Sequence, residues 1–363
     1  MQRLKILVFN WRCWSNPEMG GAEVFTREVL KRWSAAGHSV TLFTAKFRGS
    51  KQNEVDDGVN IIRNGGTYSV YWKAKEQYRK YFSKEEYDVV IDEINTVPFL
   101  ASKFVTGGEK VIALIHQLAR EYWFYETPFP ASYFGYYVLE KKWLKNYRNI
   151  PTVTVSESSR KDLAELGFEK VFVVGEGLNF KPLEKPDEKT NFPVMVFVGR
   201  LKKAKRPDNA IEAFRIIKQR VPNAELWIIG DGYLKKKLMR NAPEDVRSFD
   251  SLSNMERRDL IKKSWVLVNP SVREGFGLNV IEANALGVPS VAYNVPGLRD
   301  AIVNGKTGLL SITGSTEDLA NAIIRVMTDA DLRTKLSQEA LVRAKNFNWD
   351  KVADEFMRII RTA

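Results

Sequence analysis

Cysteine, histidine and long apolar runs are scarce in this 363-residue sequence. Cys13 is the one cysteine, so no disulfide can form within the chain, which favours a reducing compartment. No apolar run approaches the roughly 18 residues that a membrane-spanning helix needs. The opening MQRLKILVFNW has too short an apolar stretch for a secretory signal peptide. We therefore expect a cytoplasmic protein.

Several cofactor and metal motifs are also missing. The sequence has neither the G-x-G-x-x-G spacing of dinucleotide-binding folds nor the G-x-x-x-x-G-K-[ST] of a P-loop. Its two histidines and one cysteine form no cluster with the spacing of metal ligands. We therefore expect no organic cofactor and no metal.

The composition is otherwise that of a globular protein with a basic surface. Hydrophobic residues make up 44% and charged residues 28% of the chain, and its formal net charge is +12. This excess favours anionic partners such as nucleotide phosphates, a membrane surface or nucleic acid. No recognition helix, ribonucleoprotein motif or concentrated basic arm is present, so nucleic acid is the least favoured of the three.

Short apolar runs rich in β-branched residues alternate with amphipathic stretches along the whole chain. Continuous apolar runs of this kind are typical of parallel strands buried on both faces. The rhythm predicts an α/β fold of doubly wound sheets. The predicted strands are 5–9, 40–44, 59–63, 88–92, 110–114, 152–155, 171–174, 194–198, 225–229, 265–268 and 289–293.

The rhythm pauses once, and a chain of this length is expected to form two domains. The pause is a polar segment with three prolines, GEGLNFKPLEKPDEKTNFP. We predict two Rossmann-like domains, a linker and a final helix that returns to the first domain. Their bounds are 1–176 for the first domain, 177–193 for the linker, 194–346 for the second domain and 347–363 for the helix.

Ligands of open α/β sheets bind beyond the carboxyl ends of the strands, so the residues there are the candidates for a site. After the first strand, Gly20 and Gly21 open a helix, whose free N–H groups suit an anion. In the second domain, Arg200 follows a strand and Lys205 is placed at the start of the next helix. The two cations could neutralise a pyrophosphate, or they could belong to a solvated basic loop.

The segment SVREGFGLNVIEANALGVPS is the most informative of the sequence. We predict that Glu274 ends a strand and that Glu282 lies on the helix that follows, with seven residues between the two carboxylates. Glycines there allow backbone N–H groups to face a sugar hydroxyl or a phosphate oxygen. The residues between the glutamates that we assign to this loop are Gly275, Phe276, Gly277 and Leu278.

These motifs resemble the retaining glycosyltransferases of family 4, which have the GT-B architecture of two Rossmann-like domains facing across a cleft. The resemblance rests on GGAE, VSESSRKDL, the GR-x4-K loop, GDG and the E-x7-E signature, and it covers nearly the whole chain. It implies a hexosyltransferase whose donor is a nucleoside-diphosphate sugar. The chain departs from the family at the domain junction, where Gly175–Asn179 replaces a turn resembling Asn-Gly-Val-Asp.

The resemblance also implies roles for individual residues. Arg200 and Lys205 would hold the donor diphosphate, Glu282 the ribose hydroxyls, and Glu274 with the backbone of Gly275–Leu278 the donor sugar. Gly20 and Gly21 would approach the phosphate. His116, which follows a predicted strand, would hydrogen-bond the donor sugar near the reacting centre.

The acceptor and two competing functions stay open at this point. The implied acceptor is a glycan or a lipid-linked molecule. Residues 122–148 combine many aromatics with a basic cluster, which suits peripheral contact with the cytoplasmic face of a membrane; the alternative is a helix whose aromatics pack against the first sheet. The competing functions are a GT-B sugar-nucleotide epimerase or phosphorylase and, more remotely, a basic nucleic-acid-binding protein.

Overall fold

The computed structural model describes residues 2–363, which fold into two compact units. Unit 1 comprises residues up to Arg120, Tyr133–Gly177 and Asn348–Ala363. Unit 2 comprises Glu121–Ser132 and Leu178–Phe347. The segment Glu121–Ser132 thus belongs to the second unit although it lies in the first half of the sequence, where the apolar rhythm predicts one continuous domain.

Unit 1 is built on an eight-stranded sheet in the order β3-β4-β2-β1-β5-β6-β7-β8. Every neighbouring pair is parallel except β3 and β4, which pair antiparallel at one edge. The strands are β1 (Lys5–Phe9), β2 (Ser39–Thr44), β3 (Asn53–Asp56), β4 (Val59–Arg63), β5 (Val89–Glu93), β6 (Lys110–Leu114), β7 (Thr152–Thr154) and β8 (Val171–Val173).

The helices of unit 1 cover this sheet and include the last helix of the chain. Trp33 donates its indole N–H to the carbonyl of Ala353 at 3.0 Å, and its ring lies 5.1 Å from that of Phe356. The final helix is thereby fixed to the first helix of the unit. The longer helices are Gly21–Ala35, Val70–Lys80, Glu157–Glu165 and Trp349–Thr362. A run of short helical turns spans residues 131–147, of which residues 133–147 belong to unit 1.

Unit 2 is built on a six-stranded parallel sheet in the order β11-β10-β9-β12-β13-β14. The strands are β9 (Val194–Val198), β10 (Glu225–Ile229), β11 (Val246–Phe249), β12 (Val266–Asn269), β13 (Ser290–Tyr293) and β14 (Gly308–Ser311). The helices that pack on it are Pro207–Arg220, Lys235–Arg240, Asn254–Lys263, Leu278–Ala285, Leu298–Ala301, Thr316–Thr328 and Ala330–Ala344.

The segment that we predicted to be a linker contains no helix or strand, yet it is not detached. Leu178, Phe180, Leu183 and Phe192 pack against the core of unit 2, and the Leu183 N–H donates to the carbonyl of Ala285 at 2.9 Å. Apolar residues spaced among the prolines and charges therefore hold this stretch on the second unit.

Local sequence sets where the helices begin. Ser156, Ser253, Ser315, Asp329 and Asn348 each accept a backbone N–H from the first turn of the helix that follows. Such caps satisfy donors that the helix itself leaves unpaired. Within residues 2–363, no helix is long and apolar enough to cross a membrane.

Candidate functional site

The loop after β9 carries the two predicted phosphate-binding cations. Arg200 is the second residue beyond the strand, and Lys205 ends a short 3-10 turn just before the helix that begins at Pro207. A β-carbon on Gly230, whose φ is +143°, would lie 2.1 Å from the carbonyl oxygen of Gly199. Glycine at position 230 therefore lets the loops after β9 and β10 touch.

Glu274 is in direct contact with one of these cations. The Nζ atom of Lys205 lies 2.5 Å from both carboxylate oxygens, and the Ser271 hydroxyl donates to the same carboxylate at 2.8 Å. The prediction that Glu274 ends a strand is wrong, because β12 stops at Asn269 and the glutamate lies in the loop beyond it. Pro270 follows the last strand residue and has no N–H with which to continue the ladder.

The pair is mostly buried and ionised. Burial lowers the pKa of Lys205, but the charge and hydrogen bond of Glu274 together with the charge of Tyr122 raise it, so the pKa lies above its ordinary value. Burial raises the pKa of Glu274, but the charge and hydrogen bond of Lys205, the hydrogen bond from Ser271 and the charge of Lys202 together lower it, so that pKa lies below its ordinary value. Burial, followed by the charges of Lys205 and Arg200, lowers the pKa of Lys202 to about 8. Cations thus crowd around one carboxylate, an arrangement that a bound anion would relieve.

The predicted ribose-binding glutamate lies on the helix Leu278–Ala285. This helix begins after Gly277, whose φ of +111° is strained for other residues, and the Asn279 side chain donates to the carbonyl at the end of β9 at 2.8 Å. Glu282 lies in the second turn, and its carboxylate accepts a hydrogen bond from Arg257 at 3.1 Å. The Glu282 side chain is 19% exposed, so its carboxylate stays partly accessible to solvent near the start of the helix.

The residues between the two glutamates anchor the loop through their side chains. Phe276 and Leu278 are partly buried against the core of unit 2, and the ring of Phe276 lies 5.7 Å from that of Phe347. The predicted role of Gly275–Leu278 concerns backbone groups, and this packing holds that backbone in one place.

In unit 1, Gly20 and Gly21 open a helix, in the place where the glycine pair indicated one. The buried carboxylate of Glu23 accepts the Gly20 N–H at 2.6 Å and is paired with Arg12 at 3.1 Å. An internal carboxylate therefore already uses one of the N–H groups that we expected to face a phosphate.

His116 is buried two residues beyond the end of β6. Its Nε2 lies 3.2 Å from a carboxylate oxygen of Glu93, and its ring meets that of Phe25 edge-on at 5.0 Å. The other oxygen of Glu93 accepts the Thr26 hydroxyl at 2.7 Å. Burial raises the pKa of Glu93, and the hydrogen bond with the imidazole opposes that rise.

The sequence interpretation did not single out three residues that contact or surround the predicted site residues: Glu93, Lys202 and Glu126. Glu93 ends β5, so the rule that orders the search by strand ends could have found it. Lys202 stands in the basic loop beside Arg200 and carries no distinguishing motif. Glu126 accepts the backbone N–H of Ala204 at 2.7 Å, and no pattern in the sequence indicates this contact.

The structure brings only some of the predicted residues together. Lys205 and Glu274 are in contact, and Glu282 is on the helix that the Glu274 loop leads into. Gly20, Gly21 and His116 belong to unit 1. The roles of all these residues stay predictions.

Two family models match successive halves of the chain. Residues 19–181 match Glycosyltransferase Family 4, and residues 179–343 match Glycosyl transferases group 1. A D-inositol 3-phosphate glycosyltransferase of Pseudarthrobacter chlorophenolicus is 32% identical over 168 residues, which are 44% of this chain and 40% of that protein. The chain thus matches less than half the length of this relative.

Solved structures resemble almost the whole chain. Sucrose-phosphate synthase from Thermosynechococcus elongatus has a TM-score of 0.82 at 19% identity and covers 99% of this chain and 98% of its own. The Anabaena protein HepE in complex with UDP and glucose has a TM-score of 0.74 at 16% identity, and the match covers 99% of this chain and 100% of HepE. At these identities the likeness shows the fold, and it confirms the predicted GT-B class with two parallel-sheet α/β domains.

Proposed function

Since the chain belongs to the family 4 and group 1 glycosyltransferases by the models that match its two halves, we propose that it transfers a hexosyl group from a nucleoside-diphosphate sugar to an acceptor hydroxyl. The ionised contact between Lys205 and Glu274 carries this proposal. It ties the basic loop after β9 to the glycine-rich loop after β12, at the carboxyl ends of neighbouring strands, where such folds bind ligands.

The donor diphosphate would bind to the cations of the first loop. When the anomeric C–O bond breaks, negative charge develops on the β-phosphate, and Arg200 and Lys205 would stabilise it. The acceptor oxygen then forms the new bond on the same face of the sugar, and its proton passes to the departing phosphate. This path needs no enzyme nucleophile and retains the anomeric configuration.

The remaining residues would orient the donor. Glu282 would accept hydrogen bonds from the ribose hydroxyls, and Glu274 with the backbone of Gly275–Leu278 would bind the sugar. In unit 1, Gly20 and Gly21 would approach the phosphate, and His116 would hydrogen-bond the sugar. The contact of Glu93 with the imidazole supports this role, because a carboxylate fixes the orientation and tautomer of the ring.

We propose that the transfer needs neither a metal nor an organic cofactor, since Arg200, Lys202 and Lys205 supply positive charge. Within residues 2–363, no group of three or more potential ligand side chains is placed to hold a metal ion. An epimerase of the same architecture would isomerise its substrate without any acceptor, and a phosphorylase would transfer the glycosyl group to inorganic phosphate. Neither needs the hydroxyl of a glycan or lipid-linked acceptor, which distinguishes both from the proposed transferase.

The acceptor that we propose is a glycan or a lipid-linked molecule, reached by a cytoplasmic enzyme at the membrane surface. The helical run in unit 1 exposes Tyr133 by 53%, Phe134 by 54% and Tyr137 by 55%. The alternative in which these aromatics pack against the sheet is therefore wrong for these three side chains. Lys141 and Lys142, both exposed, follow within two turns and suit anionic headgroups.

Replacing Phe134 and Tyr137 together by serine is expected to weaken binding to anionic liposomes roughly tenfold, because the aromatic rings supply most of the apolar area that would enter the interface. Flotation with phosphatidylserine-containing and pure phosphatidylcholine liposomes measures this. Tyr81→Ser is the matched control, since Tyr81 is 58% exposed elsewhere in unit 1. If the wild-type protein floats with neither kind of liposome, the proposed membrane contact is wrong.

The donor site is tested by calorimetric titration of UDP, GDP, ADP and dTDP into the wild-type protein. We expect saturable binding of one of them, because the base selects the nucleotide while the cationic loop binds the diphosphate. Absence of binding by all four would contradict the proposed donor site and return the nucleic-acid interpretation to consideration.

A further inference from the structure

The segment Glu121–Ser132 places acidic side chains on the basic loop of unit 2. This loop, residues 200–206, has the sequence RLKKAKR and holds five cations. The segment belongs to unit 2, and Glu121 and Glu126 are its two charged residues. Both carboxylates are engaged within that unit.

Glu126 makes the contacts that a phosphate would make. One carboxylate oxygen accepts the Ala204 N–H at 2.7 Å, and the other accepts the Tyr233 hydroxyl at 2.9 Å. The Tyr233 oxygen in turn accepts the Lys203 N–H at 2.9 Å. The two carboxylate oxygens thus accept hydrogen bonds from a backbone N–H of the cationic loop and from the hydroxyl of Tyr233, which follows β10. Backbone N–H and hydroxyl groups are also donors that bind phosphate oxygens.

Two further contacts hold the segment in place. Glu121 pairs with the buried Arg273 at 2.8 Å, and the Lys202 ammonium lies 4.9 Å from the centre of the Tyr122 ring. The charge of Glu126 also acts on Lys202, where it opposes the fall in pKa that burial and the neighbouring cations cause. The loop at residues 200–206 has no acidic side chain of its own, and Glu126 offsets part of its positive charge.

We propose that Glu126 is an internal competitor of the donor diphosphate and sets the affinity of the site for it. The inference rests on the proposed function, because it assigns the diphosphate to the loop at residues 200–206. A diphosphate entering the loop brings its own negative charge next to Glu126, so the carboxylate leaves Ala204 or repels the ligand. Either way, binding in the presence of Glu126 is weaker than in its absence.

The test is calorimetric titration of the same four nucleoside diphosphates into full-length wild type, Glu126→Gln and Glu126→Ala. Loss of the charge is expected to tighten binding of the preferred nucleotide by roughly threefold to tenfold. Glu126→Ala, which also frees the Ala204 N–H, is expected to tighten it at least as much.

Glu212→Gln is the matched control, because Glu212 is exposed on the outer face of a unit 2 helix and pairs with Arg215. It removes one negative charge from the same unit and should leave affinity unchanged. Weaker or unchanged binding in Glu126→Gln and Glu126→Ala, with a nucleotide that binds wild type, overturns this inference alone. Absence of binding by any nucleotide to any variant overturns the inference together with the proposed donor site.

Discussion

Lys205→Ala is expected to lower kcat by roughly 10²–10³-fold, the usual effect of removing one group that stabilises charge in a transition state. Lys205 is one of the cations predicted to stabilise the departing diphosphate, and Glu274 holds its ammonium 2.5 Å away. The variant also leaves a mostly buried carboxylate without its partner, which should lower the free energy of unfolding by about 3 kcal/mol. Steady-state kinetics and denaturant unfolding measure the two effects separately.

The double variant Lys205→Met with Glu274→Gln separates these two causes. It removes the unpaired charge, so stability should recover while activity stays low. Arg325→Ala is the control for charge, since Arg325 is exposed on another helix of unit 2. A Lys205→Ala enzyme with kcat within threefold of wild type would exclude this lysine from the chemistry.

Glu282→Ala is expected to weaken binding of the preferred nucleoside diphosphate by roughly tenfold to a hundredfold, because the variant removes the carboxylate that we propose accepts hydrogen bonds from the ribose hydroxyls, and Arg257 loses the hydrogen bond that it donates to Glu282. Calorimetric titration measures it. His116→Ala is the contrast: its predicted partner is the sugar, so affinity for the diphosphate alone should be retained while kcat with the nucleotide sugar falls.

The opposite pattern would reassign both residues. If Glu282→Ala binds the diphosphate as wild type does, the glutamate does not contact the nucleotide. If His116→Ala loses diphosphate affinity, the imidazole acts on the nucleotide or on the fold through Glu93 instead of on the sugar.

The strands that could be predicted from the sequence are mostly those buried on both faces. Runs such as KILVF and VMVFV are apolar throughout or nearly so, because helices cover both sides of a parallel sheet. The sequence interpretation missed β3, β11 and β14, and each of them lies at an edge of its sheet. An edge strand is short and pairs on one side only, so polar residues such as those of NEVD in β3 are tolerated there.

The sequence predicted which types of residue lie beyond the strand ends at the site, but it did not predict which of these residues contact one another. Lys205 and Glu274 are 69 positions apart, and only the pairing of β9 with β12 places their loops side by side. Glu126 lies in no motif that could have identified it. Its segment belongs to unit 2 although the chain on either side of it belongs to unit 1. Local patterns identify chemistry at a position; they do not identify which distant group will neutralise it.

The most direct test of the proposed transfer is proton NMR of the glycoside formed from a nucleotide sugar whose diphosphate binds the protein. We expect a product whose anomeric configuration equals that of the donor, formed only when an acceptor hydroxyl is present and formed roughly 10²–10³-fold more slowly by Lys205→Ala. An inverted anomer would contradict the proposed same-face attack. Sugar that is isomerised without an acceptor, or that is released as a sugar phosphate only when inorganic phosphate is added, would contradict the transferase itself.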